Sequence, residues 1–291
     1  MKLTLLGTGI PLADPARRGP SQVIEAGNDL ILIDVGAGAM HRLVEAGHLI
    51  PGRTPGTGGP ILRRILFTHL HSDHSTGLAD LLWAGWVQHS WDEPPIISGP
   101  PGTAHLVEKL IEAYQYDIGV RTFEGGGLSR ETLVPRVEEI EEGWHAGGDG
   151  WQATAFRVEH EPVDQAFGFR IDDDAACVVV SGDTRSSENL IKHSQDADIL
   201  VHEVFFAEGF RKRALEAPTA EARRRAEIIQ SYHTGSDVVG RIAEQANARH
   251  LLLSHLILSG GSPENLLADI APSYHGKTTV GEDLMSFDLV R

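Results

Sequence analysis

Short apolar runs recur along the chain, LTLLGTG, LILIDVG, RILFTH, PIISGP, TAFRVEH, CVVVSGD, DILVHE and HLLLSH, and several stop at a residue able to bind a metal or a proton. Their length and β-rich composition read as strands. Between them lie helix-like segments, TGLADLLWAGWV, GTAHLVEKLIEAYQY, PTAEARRRAEIIQSY and SDVVGRIAEQA, the last placing Val238, Val239, Ile242 and Ala246 on one face. Strands interleaved with helices predict a layered α/β fold with functional loops at the strand ends. The glycine-rich stretches PGRTPGTGGP after Ile50 and EGGG near residue 125 read as surface connections rather than linkers. No internal repeat is evident, and residues 1–291 read as one domain.

No run is apolar for the roughly 18 residues that a transmembrane helix needs. The opening MKLTLLGTGIPLADP reads as a strand and turn rather than a leader, so the expectation is a cytoplasmic protein with no membrane partner. Cys177 is the only cysteine, which excludes an intrachain disulfide and a thiolate metal cluster. Within AACVVVSGD it reads as a buried strand residue. A formal net charge of −16 weighs against a nucleic-acid partner, whose phosphates call for a basic footprint. The one local basic cluster, Arg223 to Arg225, sits beside Glu221 and Glu227 and reads as a solvated helix face.

The densest chemistry lies in LFTHLHSDHSTG. A His-x-His-x-Asp-His pattern is hard to produce by accident. In an extended segment, alternation puts His69 and His71 on one side, whereas the adjacent Asp73 and His74 diverge and can address a second point. That geometry suits two metals. Imidazole and carboxylate without thiolate suit zinc, with manganese or iron as alternatives. Further ligands must come from elsewhere, and His160, Asp183 and His255 each stand at or near the end of an apolar run.

HLHSDH, then a histidine before FGFRI, then SGDT, then SHL together resemble the ordered metal motifs of the metallo-β-lactamase superfamily. Within it, LLGTGIPLADPARRGPSQVIEAG and ISGPPGTAHLVEKLIEAYQYD resemble the branch that holds ribonuclease Z and the zinc arylsulfatases. The resemblance implies an αββα sandwich with two divalent metals in a cleft at one edge. It implies that His69, His71 and His160 hold one metal, that Asp73, His74 and His255 hold the other, and that Asp183 bridges them. It further implies a metal-bridging hydroxide as nucleophile, a catalytic His233 matching a histidine of ribonuclease Z, and, from VHEVFF, a Glu203 that orients His233 while His202 makes outer contacts. Asp73 could serve both as ligand and as proton acceptor.

His233 precedes a helix for which Thr234 or Ser236 is a possible N-cap, so backbone N–H groups there could favour an anionic substrate. Trp83, Trp86, Trp91, Tyr114 and Tyr116 read as core or subunit contacts before substrate contacts. Family habit favours a homodimer. Two enzyme readings compete: hydrolysis of a small ester (aryl sulfate, phosphodiester or lactone), and ribonuclease Z-type 3′ processing of tRNA. In ribonuclease Z the tRNA-binding arm lies between the residues matching His160 and Asp183, and here that gap leaves room for a strand pair only. The gap and the charge favour the small ester. A metal-binding protein without turnover is disfavoured by the complete ligand set, and a redox enzyme by the lack of a flavin domain.

Overall fold

The computed structural model describes residues 1–49, 59–123, 127–148 and 150–289. The expected surface connections after Ile50 and near residue 125 fall largely outside the described residues.

One seven-stranded sheet contains β1 (Lys2–Gly7), β2 (Ser21–Ala26), β3 (Asp29–Ile33), β4 (Ile61–Leu66), β5 (Ile96–Gly99) and β6 (Val137–Glu139). The second contains β7 (His145–Gly147), β8 (Trp151–Val158), β9 (Ala166–Asp173), β10 (Cys177–Val180), β11 (Ile199–Phe205), β12 (His250–Ile257) and β13 (Lys277–Val280). A final strand, β14 (Ser286–Asp288), crosses back to the first sheet and pairs with β1. The strand orders are β14-β1-β2-β3-β4-β5-β6 and β13-β12-β11-β10-β9-β8-β7.

Early helices are α1 (Ala39–Glu45), α2 (Ser72–Ser75), α3 (Leu78–Val87), α4 (Thr103–Ala113) and α5 (Gln115–Arg121). Later ones are α6 (Glu188–His193), α7 (Ala207–Leu215), α8 (Ala220–Tyr232), α9 (Ser236–Gln245) and α10 (Pro263–Ile270). None is long and apolar enough to cross a membrane.

The strands are apolar on both faces because both faces are buried. In β10, Val178 and Val180 point between the sheets, where they join Leu3, Ile31, Phe167 and Phe169; Cys177 and Val179 point outward, against the helices. Leu81, Leu82 and Trp86 of α3 and Val107 of α4 cover the outer face of the first sheet. Val239, Ile242 and Ala246 with Leu266 of α10 cover the second. Helices outside two facing sheets form the expected αββα sandwich. Full burial of each leucine, isoleucine or valine among them contributes ~1.5–3 kcal/mol.

Cys177 is buried in its strand, and burial pushes its thiol up to about 12, which leaves it inert. Arg223 pairs with Glu227 and Arg225 with Glu221 along the exposed face of α8, as the charge pattern suggested. Trp86 and Trp91 are core residues whose indole N–H groups donate to the Ser129 and Thr132 carbonyls. Trp83 packs on Tyr114, with ring centroids 4.5 Å apart, and Tyr116 projects into solvent. The segment read as one helix from Gly102 to Tyr116 breaks at Tyr114 into α4 and α5.

Candidate metal centre

The parallel pair β3–β4 aligns Ile33 with Leu66, so both strands deliver their following residues to one edge of the sandwich. Asp34 turns there into the left-handed region at φ 56°. Its carboxylate accepts from Thr68 N and Thr68 Oγ1, each at 2.8 Å, and from His74 Nδ1 at 2.8 Å. One carboxylate thereby fixes the extended Thr68–His71 segment and the short helix α2 that follows it. Close backbone approach tightens the same corner: a Cβ on Gly36 would lie 2.3 Å from Gly19 C and 2.7 Å from Asp73 O. Only glycine fits that position.

His69, His71 and His74 converge, with centroids 4.6 Å apart for the first pair and 4.2 Å for His69 and His74. The second sheet supplies the rest. His160 follows β8, and its Nδ1 donates to the Tyr232 carbonyl at 3.0 Å, which leaves Nε2 facing inward, 3.4 Å from His71 Nδ1. Asp183 follows β10 through Ser181 and Gly182 and sits in the middle: its carboxylate lies 3.3 Å from His74 Nε2, 3.4 Å from His255 Nε2, 3.8 Å from His69 Nε2 and 3.9 Å from His160 Nε2.

His255 owes its place to an irregularity. Glu203 pairs with Ser254, but Val204 pairs with Leu256, so His255 is the extra residue of a bulge in the β11–β12 ladder. Its φ of 44° is uncommon for a side chain of this size. The bulge turns the ring out of the strand's alternation and toward Asp73, 3.4 Å away.

Ligand atoms from His69, His71, His160 and Asp183 can all lie within 4.8 Å of one another, and the same holds for Asp73, His74 and His255. These two groups have the membership expected from the sequence, with Asp183 next to both; a third set, Asp183, His233 and His255, meets the same distance. His69 Nε2, His74 Nε2 and Asp183 Oδ1 are buried without a hydrogen-bond partner, a cost that a cation would relieve. Burial holds His69, His71 and His160 below the usual histidine range, and therefore neutral with lone pairs available. Burial works against the Asp183 carboxylate, yet His255 and His74 hold it ionised, well below the usual range. Burial opposes the His74 imidazolium, but Asp183 and Asp34 hold it well above the usual range, so a bound cation would displace its Nε2 proton. The donor set fits divalent cations.

At the rim, His233 Nδ1 bonds to Glu203 Oε1 at 2.9 Å, and its ring stacks 5.4 Å from that of His255. Glu203 Oε1 also accepts from the backbone N–H groups of Thr184 and Thr234. Burial opposes the imidazolium, but the Glu203 carboxylate wins and raises His233 to about 9. Glu203 thus touches His233 as the sequence suggested. His202 is buried, and its Nδ1 bonds to the Glu203 carbonyl. Two expectations need correction. The N-cap of α9 is Gly235, with no side-chain cap. Thr234 Oγ1 instead donates to the Thr184 carbonyl and Ser236 Oγ to Asp269, while Thr234 N–H is committed to Glu203 rather than to an anion. Asp34, the residue that orients His74, carries one signal in the sequence, an apolar run that ends in aspartate two residues before Gly36.

Comparison with known proteins agrees with this geometry. Residues 1–221 match the family model described as Anti-Pycsar protein Apyc1. Ribonuclease Z of Mycobacterium bovis (strain BCG / Pasteur 1173P2) is 34% identical over 294 residues, covering 98% of this chain and 96% of its own. Among solved structures, the metallo-β-lactamase fold protein YhfI from Bacillus subtilis superposes with a TM-score of 0.72 at 19% identity, covering 98% of each chain. The short form of human tRNase Z does so with 0.68 at 20% identity, covering 99% of each. An alignment of 294 positions across nearly all of both chains leaves no room for a long insertion in the mycobacterial relative. The short stretch between His160 and Asp183 therefore does not set this chain apart from proteins named ribonuclease Z. Sequence identity over the whole length and a shared sandwich with its ligands at one edge lead to the same place: the chain belongs to the metallo-β-lactamase superfamily, in the branch that holds ribonuclease Z and the Apyc1 family.

Proposed function

We propose that this protein is a two-metal phosphodiesterase acting on ribonucleotide phosphodiesters, with ribonuclease Z-type cleavage of RNA as the first reading. It is a metal-dependent hydrolase of ester bonds. The observation that carries the phosphodiester reading is the His233–Glu203 pair at the edge of the seven-residue ligand group, in a chain 34% identical to proteins named ribonuclease Z. Aryl sulfate and lactone, favoured from sequence, have no counterpart in those names, and nucleic acid returns as a substrate class.

In this reading His69, His71, His160 and Asp183 hold one divalent ion, and Asp73, His74, His255 and Asp183 the other; zinc suits the donors, with manganese or iron as alternatives. When bound, such ions supply Lewis acidity to the phosphoryl group and a water acidic enough to attack near neutral pH. The protein's own residues do the remainder. Asp34 holds the His74 ring with its Nδ1–H engaged, so that Nε2 faces the site. Asp73 at the rim is placed to take a proton. His233, kept charged by Glu203, donates a proton to the departing oxygen.

A second reading, a small phosphodiester, is favoured by the net charge of −16, which disfavours an extended polyanion. One panel separates the two: a precursor tRNA transcript, nucleotide phosphodiesters, a 4-nitrophenyl phosphodiester, an aryl sulfate and a lactone, run with metal analysis. Cleavage of the transcript at a unique position at low protein concentration supports the first reading. Turnover of the aryl sulfate alone would overturn both. His233→Ala should slow phosphodiesters with poor leaving groups by about 100-fold or more and those with good ones far less. An equal loss across the series rules out its acid role.

A further inference from the structure

Beside the metal centre, between the two sheets, lies a pocket of about 20 Å³ in which Gln22, Glu203 and Ser254 meet the inner side of the proposed ligands His74, Asp183 and His255. Apart from the proposed ligands, whose free atoms a cation would satisfy, three of its residues carry a buried polar atom without a protein partner: Gln22 Oε1, Glu203 Oε2 and Ser254 Oγ. All three residues are at least 96% buried. Glu203 and Ser254 face each other across β11 and β12, whereas Gln22 comes from β2 of the opposite sheet. An orphaned buried polar atom costs about 1–3 kcal/mol, so three around one void call for an occupant.

We propose that this pocket binds a single ordered water that ties Gln22 and Ser254 to Glu203. The volume admits about one water. The hydrogen-bond arithmetic closes: Ser254 Oγ donates to the water, and the water donates to Gln22 Oε1 and to Glu203 Oε2. Glu203 Oε1 already serves His233, Thr184 N and Thr234 N. The water fixes the second carboxylate oxygen, and with it the plane in which Oε1 meets the His233 ring. Gln22 and Ser254 are thereby positioning residues for His233, one from each sheet, and that part of the inference rests on the acid role proposed above.

The test is a crystal structure of the metal-loaded protein at a resolution that shows ordered water, with Gln22→Met, Ser254→Ala and the double variant measured beside wild type. One water bonded to all three atoms is expected. Each variant should lower kcat by about threefold to tenfold on phosphodiesters with poor leaving groups, and less on the 4-nitrophenyl ester, with KM and metal content unchanged. The double variant should lose little more than either single one, because both act through one water. A dry or collapsed pocket, or a bound cation in it, overturns the site. A water in place with wild-type leaving-group dependence in both variants overturns the positioning role. If His233→Ala is itself indifferent to the leaving group, the acid role fails, and the density still decides the water.

Discussion

Asp34 offers the sharpest test of how the centre is assembled. It is 2% exposed and accepts three hydrogen bonds of 2.8 Å, two from Thr68 and one from His74 Nδ1. In Asp34→Asn the amide oxygen can keep Thr68 N–H, but an NH2 group replaces the oxygen that Thr68 Oγ1 and His74 Nδ1 share. Thr68 can turn its hydroxyl and accept. His74 can accept only by giving up the hydrogen on Nδ1 and carrying it on Nε2, the atom 3.3 Å from Asp183 that must offer its lone pair inward. Loss of such an orienting partner lowers metal affinity or activity about 10–100-fold, or ~1.4–2.8 kcal/mol. Asp34→Ala strands three buried donors and should cost the metal-free fold at least ~3 kcal/mol at about 1 kcal/mol each. Competition titration against a chelator reads the first effect, and denaturant unfolding of the metal-free protein reads the second. Wild-type metal affinity in Asp34→Asn with an unchanged midpoint in Asp34→Ala would refute the argument that this carboxylate organises the site.

His71→Ala, which removes one of the three histidines grouped with Asp183, should lose one equivalent of metal by elemental analysis and nearly all turnover; full activity without that metal contradicts the assignment. His250 is buried beside Lys277 and lowered to about 4, with Nε2 bonded to Thr279. Because the folded pKa lies below the unfolded one of about 6.5, its contribution is complete above pH 6.5 and is lost as pH falls toward 4. His250→Gln keeps a hydrogen-bonding group that does not titrate, so its stability relative to wild type should rise as pH drops through that window; parallel unfolding curves would count against this. Tyr116, Val120 and Phe123 are 87%, 57% and 61% exposed along and just beyond α5, an apolar surface consistent with a homodimer. Light scattering should show a dimer that Tyr116→Glu with Val120→Glu weakens, and a monomeric wild type removes that part of the reading.

Much of this molecule was legible because its strands are buried on both faces and therefore read as unbroken apolar runs, each handing a polar residue to the same edge. The seven ligand candidates were visible for that reason. The short edge strands β6, β7, β13 and β14 were not, since half-exposed segments such as Lys277–Val280 carry little apolar signal. Nothing at Tyr114 announces a helix break, as neither glycine nor proline stands there. The roles of Asp34 and of the His255 bulge were hidden for another reason. Both depend on register between strands distant in the chain, a quantity that one strand's sequence does not contain.

The return of β14 to β1 is held by a clamp around Asp283. Asp283 accepts from Thr8 N, Thr8 Oγ1 and Arg18 N and pairs with Arg42, while β14 pairs with β1. The segment it secures reaches Gly19, which packs against Asp73 O. During synthesis the first sheet cannot close its edge, nor can the wall beside Asp73 set, until this stretch has left the ribosome. A nascent chain thus carries its first four candidate ligands, His69 to His74, about two hundred residues before the residue that sets the wall beside them.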